Sequence, residues 1–264
     1  MMPDSPDPFL DKIAIVTGAS VGIGRSVALA LARRGTHVVL AARRTELLEQ
    51  VAGEIRSLDR EALAVTTDVT DQSQVNHMVD CAIERWGRVD ILVSNAGEMV
   101  RSYFDTLTVG HIQHSMAVNF YGGVYAVLAV LPHMQKRGSG HIVVVTSMDG
   151  KIGIPKEVPY VTAKFATTGF AEVLRQEVRS KGIFVSNVLP GRVDTALISN
   201  LRVPRIQSKM PPEAVARAIL YAIEKRKPEV ILPPLAILYY YVHTLSPSLC
   251  DWFIKFLHLE GWEE

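Results

Sequence analysis

The chain has 264 residues, 48% of them hydrophobic and 21% charged, with a formal net charge of +1. This is a globular composition, and with no long basic run and no aromatic–basic interleaving it gives no reason to expect nucleic acid as a partner. The two cysteines, Cys81 and Cys250, stand far apart without metal-ligand spacing, which argues against a disulfide framework or a metal site and for a reducing, cytoplasmic setting.

The chain starts with Met1-Met2-Pro3-Asp4-Ser5-Pro6-Asp7-Pro8, acidic and proline-rich where a secretion signal would be basic and apolar. Residues 1 to 10 are expected to form a disordered tail. The run Lys12-Ile13-Ala14-Ile15-Val16-Thr17 then reads as a strand, followed at once by Gly18-Ala19-Ser20-Val21-Gly22-Ile23-Gly24 and a helical pattern over residues 25 to 34. Strand, glycine turn and helix is the context a nucleotide-binding turn needs: glycines let backbone approach a pyrophosphate, and the helix N-terminus meets its charge. The spacing Gly-x-x-x-Gly-x-Gly is not the commoner dinucleotide spacing, so by itself it also fits a plain strand-to-helix turn.

The next strand, His37-Val38-Val39-Leu40-Ala41, ends in Ala42-Arg43-Arg44, where an NAD protein would place an acid for the ribose hydroxyls. Two guanidinium groups suit a 2′-phosphate, so NADP(H) is expected over NAD(H), unless both arginines only cap a solvated helix start. Helix-like residues 45 to 57 and 72 to 86 then alternate with strand-like residues 62 to 66 and 91 to 94, which argues for parallel strands joined by crossover helices. Asp68-Val69 and Asn95-Ala96-Gly97 fall at the strand ends where such sheets bind ligands.

Residues 108 to 135 read as one long helix with the amide of Asn119 in an apolar neighbourhood, where it needs partners. The run His141-Ile142-Val143-Val144-Val145-Thr146 delivers Ser147 to a strand terminus. If Tyr160 opens a helix, Lys164 shares its face. A phenol titrating near ~10 is a poor acid–base group at neutral pH, and a neighbouring ammonium favours its ionised form. Strand-like residues 184 to 189 lead into Pro190-Gly191-Arg192-Val193-Asp194-Thr195. Residues 192 to 212 lack periodicity and read as a substrate lid, before a helix over 213 to 225 and a last strand at 230 to 232.

The C-terminal end, residues 233 to 264, reads as an apolar extension of the same domain. Residues 230 to 242 carry no charge and follow Lys225-Arg226-Lys227, but with two prolines they are too short for a spanning helix of about 20 residues. Further on, Leu249, Trp252, Phe253, Phe256 and Leu257 fall on one helical stripe. Two readings stay open: the tail covers the substrate cleft or a subunit interface, or it rests on a membrane surface with the basic triplet drawing anionic lipid.

Taken together, Thr17-Gly18-x-x-x-Gly22-Ile23-Gly24, Asp68, Asn95-Ala96-Gly97, Asn119, Ser147, Tyr160-x-x-x-Lys164 and Pro190-Gly191 occur in the order of the classical short-chain dehydrogenases/reductases, which the chain resembles over about residues 11 to 232. The resemblance implies an α/β fold: a single Rossmann-type doubly wound domain whose seven-stranded, mainly parallel sheet has helices on both faces. It implies hydride transfer between a nicotinamide and a carbonyl or alcohol carbon. Tyr160 would be the general acid or base, Ser147 would polarise the substrate oxygen, Lys164 would bind the nicotinamide ribose and lower the Tyr160 pKa, and Asn119 would hold a relay water. Gly18, Ser20, Gly22, Ile23 and Gly24 would line the pyrophosphate and adenosine, Arg43 and Arg44 the 2′-phosphate, and Asp68 and Val69 the adenine. Asn95, Ala96 and Gly97 would border the nicotinamide ribose, and Pro190, Gly191, Val193 and Thr195 the carboxamide. A homodimer or homotetramer would follow the family habit. Ala163 and Ser94 depart from the family's commonest residues without touching a reacting atom, and Arg192 stands near the substrate mouth, either for an anionic substrate or as a structural charge. The expected function is an NADP(H)-dependent reductase of a hydrophobic ketone; the alternative is a non-catalytic NADP-binding scaffold acting through its C-terminal surface.

Overall fold

The structure is a computed structural model that describes residues 7–204 and 208–263. Its first half is β1 (Ile13–Thr17), α1 (Gly22–Arg33), β2 (His37–Ala42), α2 (Thr45–Arg56), β3 (Ala62–Thr66), α3 (Gln72–Trp86) and β4 (Ile91–Ser94). There follow α4 (Val109–Met116), α5 (Gly122–Arg137), β5 (Gly140–Val145), α6 (Val158–Val178), β6 (Ile183–Pro190), a two-residue β7 (Leu201–Arg202), α7 (Pro212–Glu224) and β8 (Glu229–Leu232). The chain finishes with α8 (Leu235–Leu245), α9 (Pro247–Leu257) and β9 (Trp262–Glu263).

Seven strands form one parallel sheet in the order β3-β2-β1-β4-β5-β6-β8. Because helices cover both faces, the strands are near-continuous apolar runs and not alternating ones: every residue of β1, Ile-Ala-Ile-Val-Thr, is buried. One face packs α1, α2 and α7 through Val27, Leu31, Leu48, Ile55 and Ile219, and the other packs α3, α5 and α6 through Met78, Val127, Met134 and Leu174. The strand order reverses between β1 and β4, which opens a crevice at their C-terminal ends. The expected doubly wound, seven-stranded domain is therefore present.

Three local expectations are corrected. The expected disordered tail, residues 1 to 10, is ordered at its end: residues 1–6 lie outside the described residues, but Phe9 is fully buried in the core and Asp7 binds Arg34 at 2.7 Å. The long helix over 108 to 135 is interrupted by a π-helical turn, Ala117–Tyr121, between α4 and α5. By length and composition the stretch Val109–Arg137 is the one among the described residues that could cross a membrane, yet its Val127, Val130 and Met134 are core residues beneath the sheet. The lid is not wholly irregular: it holds a 3₁₀ turn, Ala196–Ile198, and β7, which pairs antiparallel with β9, so that chain terminus and lid share a ladder.

The C-terminal extension folds as the helical hairpin α8–α9. Cys250, Ile254 and Leu259 are buried against Met148, Ile152, Ile154 and Leu189, so the tail packs beside the loop that follows Ser147. Leu235, Leu238 and Leu245 on α8 and Leu249, Trp252 and Phe256 on α9 remain exposed. The basic triplet precedes β8 while α8 follows it, and Arg226 and Lys227 stand over the rings of Phe184 and Tyr221.

Candidate active site

Gly18 and Gly22 adopt positive φ angles of +66° and +57°, which glycine takes without strain. A Cβ on Gly24 would stand 2.2 Å from the Gly18 carbonyl oxygen, so only glycine lets α1 start this close to β1. Val21, ahead of α1, caps no backbone N–H with its side chain, which leaves the first amides of the helix for an anion. Thr17 ties the neighbouring strand end to this turn: its Oγ1 accepts from the amides of Asn95 at 2.9 Å and Ala96 at 3.0 Å, while the Asn95 side chain donates to the Thr17 carbonyl. An uncapped helix start beside backbone that no side chain could enter fits a dinucleotide pyrophosphate.

A cavity of about 480 Å³ runs from this turn to Ser147, Tyr160 and Lys164. One end is lined by Gly18, Gly22, Ile23, Arg43 and Arg44, and the middle by Asn95, Ala96, Gly97 and Asn119. Ser147, Tyr160 and Lys164 meet there with Pro190, Gly191, Val193 and Thr195 from the loop after β6. Four expected residues do not line it: Gly24 lies against the Gly18 backbone, and the other three are engaged elsewhere. Ser20 receives a 3.4 Å hydrogen bond from Arg44, Asp68 takes the amide and hydroxyl of Thr70, and Val69 packs in the core against the α5 start at Gly122.

Ser147 sits just past β5, where its Oγ donates to Asp149 Oδ2 and accepts from the Asp149 amide, both at 3.1 Å. Tyr160 lies in the first turn of α6, whose Pro159 is favoured at a helix start, and it lines the same cavity as Ser147. One turn on, Lys164 donates to the Val145 carbonyl at 3.2 Å and its Nζ is 5.5 Å from the Tyr160 ring centroid. Burial pushes the Lys164 ammonium down to about 8. The expected lowering of the phenol by Lys164 is not what this geometry produces. Burial first, and then the Asp149 charge, push Tyr160 up, while the neighbouring Ser147 hydroxyl pulls the other way. Lys164 points its ammonium at backbone, where it offers the phenolate little.

Asn119 lies in the π turn and its side chain is already satisfied: Oδ1 accepts from the Glu98 amide at 3.1 Å, and Nδ2 donates to the carbonyls of Glu98 at 3.0 Å and Ser115 at 3.1 Å. Its carbonyl accepts from Thr167 Oγ1 on α6 at 3.1 Å. The amide thus fastens the loop after β4 to the helix layer. Arg192 is 6% exposed and forms a fork with the fully buried Glu157, at 2.8 and 3.3 Å, so of the two readings given for it the structural charge holds. Reading the sequence missed Asp149, Glu98, Met99, Leu197 and Ile198 in the cavity wall. Asp149 was within reach, as an acid directly after an apolar strand; the others lie in loops whose path no periodicity encodes.

The profile of short chain dehydrogenases matches residues 12–205. The Dehydrogenase/reductase SDR family protein 7-like of Drosophila melanogaster is 36% identical over 256 residues, covering 91% of this chain and 78% of that protein. An alcohol dehydrogenase from the archaeon Thermococcus sibiricus, solved with 5-hydroxy-NADP, superposes with a TM-score of 0.77 at 29% identity, over 84% of this chain and 95% of that one. A 7α-hydroxysteroid dehydrogenase solved with NADH and 7-oxo glycochenodeoxycholic acid superposes with a TM-score of 0.81 at 27% identity, over 88% and 96% of the two chains.

Proposed function

The chain belongs to the short-chain dehydrogenase family and is an oxidoreductase by fold and kinship, and from that premise we propose that it is an NADP(H)-dependent carbonyl reductase that acts on a hydrophobic ketone. The observation that carries the reading is the convergence of Ser147, Tyr160 and Lys164 on one end of a cavity whose other end presents Arg43 and Arg44. Bound NADPH would supply a hydride to the carbonyl carbon. Tyr160, kept protonated by burial and by Asp149, is suited to donate its phenolic proton to the carbonyl oxygen, with Ser147 beside it to hold that oxygen. Lys164 is within the cavity to bind the nicotinamide ribose, and Arg43 and Arg44 to grip the 2′-phosphate, a group that arginine meets with a planar fork.

The relatives include both NADP- and NADH-bound proteins, so the phosphate preference rests on Arg43 and Arg44 alone. Met99, Val193, Leu197 and Ile198 give the substrate end its apolar wall, and the steroid-bound relative supports a bulky apolar substrate body. Exposed Leu128 on α5 with Phe165 and Val173 on α6 supports a homodimer or homotetramer assembled through those helices. The exposed apolar side chains of α8 and α9 support contact with a membrane surface as a further association.

The test is fluorescence titration with NADPH and NADH, followed by cofactor oxidation against ketones graded by chain length. Tight NADPH binding, turnover rising with chain length and a more than 1,000-fold loss in Tyr160→Phe with cofactor affinity kept are expected. Undiminished turnover in Tyr160→Phe refutes the catalytic assignment, and NADPH binding without turnover of any ketone moves the scaffold reading to the front.

A further inference from the structure

Glu157 is the meeting point of the loops that frame the site. It precedes α6, and Tyr160 stands three residues further along. Its carboxylate holds both terminal nitrogens of Arg192, at 2.8 and 3.3 Å, with Arg101 Nε 3.8 Å away. Ser102, in the loop after β4, donates its amide to the Lys156 carbonyl at 2.8 Å and runs beside Glu157 in a parallel bridge. Arg192 in turn follows Pro190-Gly191 and accepts the Met210 amide at 2.9 Å, which ties in the segment leading to α7. Arg192 faces the cavity, and Glu157 is buried behind it with no exposed surface.

We infer that Glu157 and Arg192 are a positioning pair that holds the catalytic helix start and the loop after β6 in one fixed register, so that Tyr160 and the cofactor-facing Val193 and Thr195 stay aligned. The inference rests on the catalytic reading proposed above. Stability is a poor reason for such a pair, since two buried charges are often matched or bettered by apolar side chains of the same volume. A two-pronged guanidinium–carboxylate contact supplies direction instead: it permits one relative orientation of the segments it joins. Hydride and proton must reach neighbouring atoms together, and a misplacement of about 1 Å can cost roughly 100-fold in rate. The charges facing the pair are those of Asp149 and Arg101, with the Tyr160 phenol close by. Burial and Asp149 push the Glu157 carboxyl upward against the pull of Arg192 and Arg101.

The experiment compares Glu157→Gln, Arg192→Lys and the apolar double variant Glu157→Met/Arg192→Leu by thermal midpoint, by NADPH affinity from fluorescence, and by kcat and ketone KM per folded molecule. The expected result is a loss of roughly 10- to 100-fold in kcat and a several-fold weaker NADPH affinity in each single variant, with ketone KM moved less than about 3-fold. The double variant should regain the thermal midpoint without regaining kcat. Recovery of kcat along with the midpoint makes the pair merely structural and overturns the inference, as does wild-type kcat in folded single variants. If a single variant fails to fold, the other and the double variant carry the same comparison. Should the wild-type protein turn over no ketone, the catalytic reading fails separately; NADPH affinity then decides the pair, weaker binding supporting the shared register and unchanged binding ending it.

Discussion

Lys164 Nζ stands 5.5 Å from the Tyr160 ring centroid, but its hydrogen bond goes to the Val145 carbonyl. The ammonium is therefore fixed by backbone in the cavity and available to a ribose, while the phenol answers mainly to burial and to Asp149. Burial brings the amine down to about 8, so it is charged below that pH and neutral above it. Affinity for NADPH should fall by about 10-fold between pH 7 and pH 9.5, the scale of one charge-assisted hydrogen bond. Fluorescence titration across that range checks it, and in Lys164→Met the affinity should be low and flat; a slope that survives the substitution belongs to another group.

Arg43 and Arg44 line the nucleotide end of the cavity, and Arg44 is steadied by Ser20. Replacing Arg43 by Ala removes one charged partner of a 2′-phosphate, worth about 1.5–3 kcal/mol, or roughly 10- to 100-fold in Kd. NADPH affinity should drop by that factor while NADH affinity stays within 2-fold. Equal losses for both nucleotides would place Arg43 on the adenosine and not on its phosphate.

Gly24→Ala and Gly53→Ala should act with opposite sign. The first places a methyl 2.2 Å from one backbone atom of Gly18 and 2.7 Å from another, neither of which can yield without breaking the turn. The second meets nothing within 4 Å in the interior of α2. Gly24→Ala should lose nucleotide binding and lower the thermal midpoint, whereas Gly53→Ala should gain up to about 1 kcal/mol from helix propensity. Calorimetry with and without NADPH reads both.

The alternation of strands and helices, and most of the residues that meet in the cavity, were legible because each rests on a local rule. Apolar runs as short as Ile91-Leu92-Val93 mark strands buried on both faces, and the glycines at 18, 22 and 24 mark a turn that only glycine can make. Phe9 was not legible: a lone aromatic between prolines and acids carries no period, and only the tertiary slot beside Arg34 makes it core. Glu157 was hidden for the same reason, its partner Arg192 being brought to it by the sheet and not by spacing. The direction of the Tyr160 shift is not legible in the spacing, because sharing a helix face fixes which residues are neighbours and leaves open where a lysine nitrogen points.

His141 on β5 is 6% exposed, bonds Ser186 at 2.8 Å through Nε2, and is pushed down to about 4 by burial. Its folded-state pKa is below its unfolded value of 6.5, so the unfolded chain takes up a proton first as the pH falls. The stabilisation is complete above pH 6.5 and is lost as the pH falls towards 4, up to about 3 kcal/mol. Urea unfolding at pH 7.5 and pH 5 should show this loss, and His141→Gln, which does not titrate, should show less of it. An equal loss in the variant would assign the acid sensitivity to carboxylates.

The π turn at Ala117–Tyr121 makes chain length itself part of the site. A π turn holds one residue more than the α-helix it interrupts. Deleting any one residue there would give a smoother helix, yet it would swing Asn119 and its Glu98 contacts about 100° away from the faces of α5 that meet the sheet. An exchanged side chain leaves this register intact, whereas a lost residue forces a choice between the regular helix and the site. A gap at these positions in an aligned sequence would therefore mark a protein that has given up this arrangement of Asn119.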